Sequence, residues 1–413
     1  MSGPARDRAS DLPLAGIRIL SVEQYGAGPF ASLYLADMGA EVIKIEAPPA
    51  EGKPGGDSSR QSGPHFLGPD DSLFFQTFNM GKKSVALDMR EPEGRAVFAR
   101  LAAGADAVLN NLRGDMPEKL GLTHAALSEV KPALVCVHLS GYGRTGARAA
   151  WPAYDYLMQA EAGFLSVTGE PDGPPTRMGL SVVDYLTGIT AAFALTAALV
   201  GALKTGRGRD VDVSLYDVAM HQLTYPAAWY LNAGDAIERR PRSGHPALVP
   251  CELFPTADGH LFVMCVLPKF WVALCAALDL PELVDDPRFA TPEARFAHRD
   301  ALVMLLDDRF RTAPSAHWLA RLAGRVPVAP VLTLPEALEN PWLEEVGGVQ
   351  PVAHPDLPGM RMLSSPIRLD GKRARLRRAP ALGADTAAVL EAAGLSPDEI
   401  AALRARKIIG DTA

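Results

Sequence analysis

The sequence predicts an α/β protein in which helices cover a parallel sheet, followed by a smaller α+β domain. In the first half, short runs rich in β-branched residues alternate with segments of helical periodicity. Strand–helix–strand units at this spacing form parallel sheets. After Tyr230 the alternation stops, and a segment rich in Arg, Pro and Gly leads into a pair of strand-like runs. This change in composition and periodicity predicts the second domain.

The elements of the first half follow from local patterns. Pro29 suits a first helical turn, and Gly39 suits the end of the same helix. The predicted strands cover residues 16–24, 41–47, 105–111, 133–141 and 209–217. The predicted helices cover residues 29–38, 92–103, 123–130 and 186–203.

The second half begins with a connection over residues 233–250. Asp258–Gly259 then predicts a hairpin turn between two strands within residues 251–266. Helices are predicted over 269–277 and 292–311, and we take residues 251–334 as the small α+β domain. Near the end, Ser396 and Glu399 form a capping box with Pro397 at the first helical position, which predicts a last helix to about residue 406.

Composition and charge exclude several classes of protein. The 413 residues are 48% hydrophobic and carry 41 Lys and Arg against 48 Asp and Glu, a net charge of −7. This balance argues against broad binding of nucleic acid or of an anionic membrane, but it allows a local basic pocket. The N-terminus has no apolar signal segment, and the uncharged stretch 186–203 is rich in small residues that suit a buried helix. We expect a cytoplasmic protein without a membrane span.

The cysteines predict neither disulfides nor a metal site. Cys136, Cys251, Cys265 and Cys275 form no CxxC pair and have no histidine at ligand spacing. They are typical of buried thiols in a reducing compartment.

A short glycine motif follows the first predicted strand. Residues 26–31 read GAGPFA and match GxGxxA, and Glu46 ends the next strand where a ribose-binding acid would lie. This arrangement is typical of a Rossmann-like nucleotide site and supports an NAD-dependent oxidoreductase as one alternative. Small residues also permit a tight turn in any α/β protein, and Pro29 removes one N–H donor. The motif alone leaves both interpretations open.

A longer series of motifs is similar to the class III CoA-transferase family, also called the CaiB/BaiF family. The series covers nearly the whole chain in one order. It comprises LxGxRILxVEQYGAGPFASLYLADMGAEVIKIEAP, FNMGKKSVALDMREPEG, LNNLRGDMPEKLGL, HLSGYG, YDYLMQAEAGFLSVTGE, TRMGLSVVDYLTG, GRGRDVDVSLYD, HPALVPCELFPTADG, DDPRF and LGADTAAVLEAAGLSPDEIAALRARKII.

The resemblance implies a fold, an assembly and an activity. Residues 1–232 would form the N-terminal part of a large CoA-binding domain, residues 233–250 a linker, and residues 335–413 a return segment that completes the large domain. Two chains would form a homodimer of interlocked rings. The activity would be transfer of CoA from an acyl-CoA to a free carboxylic acid, with CoA as the only cofactor and neither metal nor NAD.

The resemblance assigns the nucleophile to Asp184, in MGLSVVDYLTG. Its carboxylate would form a mixed anhydride with the acyl group and then an aspartyl-CoA thioester, from which an incoming carboxylate takes CoA. From the residues alone, an aspartate before a long apolar helix is a candidate N-cap. The two roles are compatible, because a helix N-terminus would keep the carboxylate ionised.

The resemblance also carries over CoA contacts. We expect Lys119 to replace an arginine of the relatives at the phosphates. The full set of predicted contacts is Gly26, Ala27, Leu87, Asp88, Met89, Arg90, Asn111, Leu112, Arg113, Lys119, Ser140, Gly141 and Tyr142. Arg113 and Lys119 alone are also typical of solvated helix ends.

One position departs from the family. Ala47 stands where some relatives have an arginine against the nucleotide, and Lys44, Lys53, Lys82 or Lys83 would have to compensate. The cations expected near the phosphates are Lys82, Lys83, Arg90, Arg113 and Lys119.

The substrate is less legible. The distal carboxylate of a dicarboxylic acid would suit binding by Arg239, Arg240 and Arg242, with His245 beyond them. A run of charges is also typical of a solvated linker.

A racemase of the same fold is a second alternative activity. It requires a His-Asp pair, and here Tyr154 precedes Asp155. A non-enzymatic acyl-CoA binder is the remaining hypothesis.

Overall fold

A computed structural model describes residues 11–410, which fold into two compact units. The first unit takes in residues 11–162, 179–222 and 342–410, so both ends of the chain contribute to it. The second unit takes in residues 163–178 and 223–341. The predicted small domain, 251–334, lies wholly inside the second unit, which also includes the predicted linker.

The strands form one large sheet and several small ones. They are β1 (Arg18–Val22), β2 (Glu41–Glu46), β3 (Phe66–Gly68), β4 (Asp71–Ser72), β5 (Lys83–Ala86), β6 (Ala107–Asn110), β7 (Val135–Ser140), β8 (Arg209–Ser214), β9 (Cys251–Pro255), β10 (His260–Met264), β11 (Val328–Pro330), β12 (Val349–Pro351), β13 (Arg361–Leu363), β14 (Arg368–Leu369) and β15 (Lys372–Arg373). The large sheet has the order β5-β2-β1-β6-β7-β8, and all its neighbours run parallel. The predicted parallel sheet is confirmed, and β5 is an additional edge strand that sequence patterns did not identify.

The helices agree closely with the predictions where periodicity is strong. They are α1 (Ala27–Asp37), α2 (Leu73–Asn79), α3 (Pro92–Ala103), α4 (Met116–Lys119), α5 (His124–Leu127), α6 (Asp155–Glu161), α7 (Phe164–Val167), α8 (Val182–Thr205), α9 (Leu215–His221), α10 (Thr224–Ala233), α11 (Pro268–Ala277), α12 (Pro292–Ala297), α13 (Arg299–Phe310), α14 (Ser315–Leu322), α15 (Leu334–Leu338), α16 (Pro341–Glu345), α17 (Thr386–Ala392) and α18 (Pro397–Ala405). The capping box of α18 is present, with Ser396 and Glu399 bonded reciprocally. The predicted helix 292–311 is two helices, which meet at His298.

Helices cover both faces of the large sheet. On one face, α1 and α8 pack on alternate residues of β1, β2, β6 and β7, with a core that includes Ile19, Val42, Leu109, Val137, Leu35, Leu195 and Leu199. On the other face, α3, α17 and α18 bury Leu20, Ile43, Val85, Val108, Phe98, Leu390 and Leu403. A parallel sheet presents apolar side chains on both of its faces, and these helices shield them from water.

A glycine in α8 allows a close approach to the first βα turn. A Cβ on Gly188 of α8 would lie 2.7 Å from the carbonyl oxygen of Ala27, so α8 lies directly against the start of α1. This contact brings the first turn of α8 to the loop after β1.

The long apolar helix α8 is only half-buried. Ala191, Leu195 and Leu199 face the core, but Phe193 and Leu203 are 74% and 72% exposed. By length and composition α8 is the one helix among residues 11–410 that could cross a membrane, although one of its faces packs on the sheet. The prediction of a buried helix is therefore wrong for the opposite face.

The second unit has its own core. β11, β10 and β9 form an antiparallel sheet in that order, and the N–H of Thr256 donates to the carbonyl of Gly259 (2.9 Å) at the predicted hairpin. Helices α11, α13 and α14 cover the sheet around Trp271, Phe310 and Trp318. All four cysteines are buried free thiols, and burial raises the pKa of Cys265 and Cys275 to about 12.

Candidate functional site

Three loops meet at the carboxyl edge of the large sheet, where parallel strands of one sheet end together. They follow β1, β6 and β7. A Cβ on Gly28 would lie 2.8 Å from Cγ of Asn111, and one on Gly114 would lie 2.1 Å from the carbonyl oxygen of Gly143. The predicted contact residues Gly26, Ala27, Asn111, Leu112 and Arg113 therefore lie in adjoining loops, with residues 140–144 beside them.

The loop after β1 is held from two sides. Asn111 accepts a hydrogen bond from the N–H of Gln24 (2.8 Å) and donates one to the carbonyl of Gln24 (2.7 Å), as a neighbouring strand would. The N–H of Tyr25 donates to the carboxylate of Asp57 (3.1 Å), and Tyr25 has φ 68°, a left-handed conformation that non-glycine residues rarely adopt. The Asn111 side chain thus positions the loop.

A cluster of buried charges lies beneath this loop. Lys44 bonds Asp57 at 2.9 Å, and Lys82 bonds Glu23 at 2.8 Å; all four side chains are inaccessible to water or nearly so. Burial alone raises the pKa of the Glu23 carboxyl, but Lys82 and Lys44 outweigh it and hold that pKa below its usual range. Burial lowers the pKa of Lys82 to about 8. Lys44 and Lys82 are therefore structural cations, and their predicted role at the phosphates is wrong.

Glu46 is equally committed. Its carboxylate accepts hydrogen bonds from Arg60 (2.7 and 2.8 Å), from the hydroxyl of Ser84 (2.6 Å) and from the N–H of Asp57 (2.9 Å). With its lone pairs taken, Glu46 has none left for a ribose hydroxyl. The residue expected to bind ribose in a nicotinamide site is a core ion-pair partner instead.

Asp184 lies in the first turn of α8 and faces the loop after β1. A Cβ on Gly26 would lie 2.4 Å from Oδ2 of Asp184, so the carboxylate rests against the Gly26 backbone. The two residues are 158 positions apart in the chain. The structure therefore brings the predicted nucleophile to the predicted cofactor loop, and any side chain on residue 26 would displace the carboxylate.

The helix N-terminus serves a different carboxylate. Oδ2 of Asp155, in the first turn of α6, accepts hydrogen bonds from the N–H groups of Val183 (2.6 Å) and Asp184 (3.0 Å). Asp155 is 4% exposed and also accepts from Gln159 (2.6 Å). Asp184 is not the N-cap, which is Ser181. The prediction that Asp184 caps α8 is wrong, and sequence analysis missed Asp155 as the capping group.

This arrangement sets the protonation of Asp184. Within residues 11–410 its carboxylate accepts no hydrogen bond, and burial together with the charge of Asp155 raises its pKa to about 7. The prediction that the helix N-terminus keeps Asp184 ionised is wrong, because Asp155 takes those N–H groups. A carboxylate without hydrogen-bond donors retains its full basicity, which favours attack on an electrophilic carbon.

The predicted contacts after β5 divide between core and surface. The side chains of Leu87 and Met89 are buried in the hydrophobic core, and Leu87 bridges to Ile409. Asp88 pairs with Arg90 (2.5 Å), whose guanidinium stays largely exposed. From this segment, Arg90 and the backbone remain available to a ligand.

The cation pair after β6 remains accessible. Arg113 and Lys119 both pair with Asp115, at 3.2 and 2.6 Å, and both side chains are at least half exposed. Lys83 pairs with Glu41 at the amino ends of β5 and β2, the opposite edge of the sheet, so its predicted place at the phosphates is wrong. Lys53 is exposed in a turn after β2, where it shares two backbone hydrogen bonds with Ala50.

The loop after β7 is built by aromatic packing. The hydroxyl of Ser140 accepts from the N–H of Gly143 (2.9 Å), and a Cβ on Gly141 would lie 2.2 Å from that of Ala153. The hydroxyl of Tyr142 donates to Glu161 (2.7 Å), and its ring contacts Trp151. The predicted residues 140–142 thus form one ordered wall.

Two of the three arginines predicted for substrate are engaged within the second unit. Arg239 donates to three backbone carbonyls (2.8 to 3.0 Å), and Arg242 pairs with Asp307. Arg240 is exposed, and within residues 11–410 it forms no ion pair. Nδ1 of His245 accepts from two backbone N–H groups (3.0 and 3.1 Å), and burial with Arg299 lowers the pKa of the ring. The expectation that Arg239 and Arg242 offer free guanidinium groups is wrong.

In the described part of the chain, no three His, Cys, Asp or Glu side chains are grouped so as to hold a metal ion.

Comparison with known proteins identifies the family. The model of CoA-transferase family III matches residues 14–386. The chain is 34% identical to succinate–glutarate CoA-transferase of Agrobacterium fabrum (92% of this chain, 95% of the relative). It is 32% identical to human succinyl-CoA:glutarate CoA-transferase (94% and 87%) and 33% identical to succinyl-CoA:mesaconate CoA-transferase of Haloarcula hispanica (92% and 96%).

Solved structures agree. A CaiB/BaiF family protein from Brucella suis superposes with TM-score 0.78 at 32% identity, covering 92% of this chain and 99% of the other. Rv3272 from Mycobacterium tuberculosis superposes with TM-score 0.80 at 30% identity, again over 92% and 99%. The predicted resemblance is confirmed, and the chain belongs to CoA-transferase family III.

Proposed function

We propose that the protein transfers CoA from an acyl-CoA to a free dicarboxylic acid, with Asp184 as the covalent nucleophile. The observation that carries the proposal is the position of the Asp184 carboxylate, which is half-buried, lies against Gly26 in the cofactor loop and accepts no hydrogen bond from residues 11–410. A desolvated carboxylate at the carboxyl edge of an α/β sheet is placed where such folds bind ligands.

The reaction would proceed through two anhydrides. Ionised Asp184 attacks the thioester carbonyl, the C–S bond breaks, and CoA leaves as the thiolate. The thiolate then attacks the aspartyl carbonyl of the anhydride, which releases the donor acid as a carboxylate and leaves an aspartyl-CoA thioester. The acceptor carboxylate repeats both steps in reverse order and departs as the new acyl-CoA, which regenerates Asp184. No net proton transfer is required.

The loop after β1 would stabilise the charge that develops in each step. The first N–H groups of α1, at Ala27 and Gly28, have no partner inside the helix. Such donors favour an oxyanion at a helix N-terminus. Asn111 and Asp57 would keep this loop in place while Asp184 reacts.

CoA would bind across the adjoining loops. Arg113 and Lys119 would exchange Asp115 for phosphate, since both side chains reach solvent. Tyr142 and its neighbours would line the pantetheine arm, and the exposed Arg90 supplies a further cation. Residues 26, 27, 87–90 and 111–113 would contribute mainly backbone groups.

The names of the relatives support a dicarboxylate substrate. Succinate, glutarate and mesaconate are dicarboxylic acids, and they appear in the names of relatives from three different organisms. Arg240 is exposed and forms no ion pair with the described residues, and it is the residue we propose for the distal carboxylate. Arg240→Gln should raise KM for dicarboxylates selectively, and an equal rise for monocarboxylates would count against this role.

We also propose a homodimer of interlocked rings. Phe193 and Leu203, on the outer face of α8, are exposed apolar side chains on a face that also includes Ile189 and Val200. A contiguous apolar surface is typical of a subunit interface. Light scattering should give twice the mass of one chain, and a monomer at micromolar concentration would argue against the dimer.

The decisive experiment is substitution of Asp184. Asp184→Asn and Asp184→Ala should reduce CoA transfer by on the order of 1,000-fold or more, because the covalent route is lost. The control is binding of the acyl-CoA, which both variants should retain. Hydroxylamine should trap an adduct at residue 184 only in the wild-type enzyme.

Solvent exchange and the same Asp184 variants separate the alternative functions. A racemase would exchange the α-proton of an acyl-CoA with solvent deuterium and need no acceptor acid. A non-enzymatic binder would lose nothing on substitution of Asp184. Near-wild-type transfer by either variant would overturn the proposed mechanism.

A further inference from the structure

A cationic cavity opens at the amino edge of the large sheet. It has a volume of about 350 Å³ and lies where β2 and β5 begin, beside the glycines that precede each strand. The side chains that give it charge are Glu41, Lys82, Lys83, Arg377 and Arg378. Asp184 and the cofactor loops lie at the carboxyl edge, roughly 17 Å away along a six-residue strand. The cavity is therefore separate from the catalytic site.

Its acidic residue is already neutralised. Oε2 of Glu41 accepts from Arg18 (2.6 Å), and Oε1 accepts from Lys83 (2.6 Å). Lys82, in the floor of the cavity, is paired with Glu23 inside the core. Among residues 11–410, Glu41 is the only carboxylate that lines the cavity, and because it is paired with two cations it does not balance Arg377 and Arg378.

Arg377 and Arg378 carry the unbalanced charge. Both are exposed, and within residues 11–410 neither guanidinium forms an ion pair. Nη2 of Arg377 lies 3.9 Å from the position of a Cβ on Gly81, so the guanidinium stands over the start of β5. Two neighbouring unpaired arginines beside Lys83 repel one another unless an anion lies between them.

The backbone under the two arginines is anchored. Leu376 is buried in a small apolar cluster, the carbonyl of Arg378 accepts from the N–H of Gly81 (3.4 Å), and the N–H of Ala379 donates to Gln76 (2.8 Å). The arginine pair therefore projects from a fixed segment, which reduces the conformational entropy that a ligand must overcome.

We propose that this cavity binds a small phosphate-bearing anion. The guanidinium groups of Arg377 and Arg378 and the ammonium group of Lys83 present several N–H donors to one compact charge. Such a set of donors suits a phosphate dianion better than a single carboxylate. The volume of the cavity is sufficient for a phosphate or pyrophosphate group together with the organic group attached to it. This site does not depend on the proposed chemistry of Asp184.

Calorimetric titration of the full-length protein with inorganic pyrophosphate at low ionic strength tests the proposal. The double variant Arg377→Gln/Arg378→Gln should weaken binding at least about tenfold. The matched control is Lys372→Gln/Arg375→Gln, which removes the same charge from exposed side chains of the same segment outside the cavity. It should change affinity by no more than about twofold.

A third variant, Arg113→Gln/Lys119→Gln, separates this cavity from the proposed CoA phosphate site and should retain the binding that Arg377 and Arg378 provide. All substituted side chains are exposed, so thermal unfolding should stay unchanged. Three results would overturn the proposal: no saturable binding to the wild type, equal losses in the cavity and control variants, or binding of succinate as tight as that of pyrophosphate.

Discussion

Two groups of buried charges in the first unit differ in how they are compensated. Beneath the loop after β1, Lys44 and Lys82 are matched by Asp57 and Glu23. At the start of α8, two carboxylates lie together, and only Asp155 has hydrogen-bond donors, while Asp184 has none in the described chain. Matched charges hold the fold in place, whereas the unmatched carboxylate is available for chemistry.

The strongest test of this contrast removes a matched charge. Lys44→Met should reduce the free energy of unfolding by about 3 to 5 kcal/mol, because it leaves Asp57 buried without its cation, while Glu23 keeps Lys82. Urea denaturation measures the change. The control is Lys119→Met, which breaks an exposed ion pair and should cost less than about 1 kcal/mol. Similar effects of the two substitutions would contradict the structural role of Lys44.

Removing the unmatched charge of Asp184 should raise the free energy of unfolding, whereas removing Lys44 lowers it. The pKa of Asp184 is raised to about 7, so the native state loses stability as pH rises from about 4 to 7 while the unfolded state is already ionised. Asp184→Asn should therefore increase the free energy of unfolding by roughly 2 to 4 kcal/mol at pH 8 and leave it nearly unchanged at pH 4. A variant that is less stable than the wild type at pH 8 would contradict this prediction.

The contact between Asp184 and the cofactor loop can be broken sterically. A Cβ on residue 26 would lie 2.4 Å from Oδ2, so Gly26→Ala should displace the carboxylate and lower kcat by about 10- to 100-fold. The matched control is Gly201→Ala in α8, where a Cβ would meet no atom within 4 Å and the helix should gain stability. Equal activity of both variants would rule out a positional requirement at Gly26.

The smallest effect concerns the charge of Asp155. Asp155→Asn keeps one hydrogen-bond acceptor for α8 but removes the negative charge beside Asp184, so the pKa of Asp184 should fall by about one unit. The acid limb of the kcat/KM profile should move to lower pH by the same amount. If the limb stays in place while stability falls, Asp155 acts on the helix alone.

Much of the fold follows from the periodicity of the sequence, but the burial and pairing of its charged side chains do not. The alternation of the first half predicted five of the six strands of the large sheet. It missed β5 because KSVA is short and begins with a lysine, and only its pairing with β2 identifies it as a strand. Lys44 and Lys82 looked like surface cations because their partners lie up to 59 residues away in the chain.

The site shows the same division. The family motifs singled out Asp184 and the loop at Gly26, and the structure brings these two parts of the chain together. The neighbouring sequence could not indicate that Asp155, 29 residues earlier, would take the helix N–H groups. Electrostatic environment depends on tertiary contacts, and so the pKa of Asp184 was predicted with the wrong sign.

The return of the chain to the first unit has a consequence for biosynthesis. Leu390 and Leu403 cover one face of the large sheet, and Ile409 bridges to Leu87 beside the edge strand. These residues leave the ribosome after the entire second unit has been made. Until then Val85 and Phe98 expose apolar surface in the nascent chain. Synthesis therefore delays closure of the CoA-transferase core until α17 and α18 have been made, and a chain that lacks both helices should be retained by chaperones.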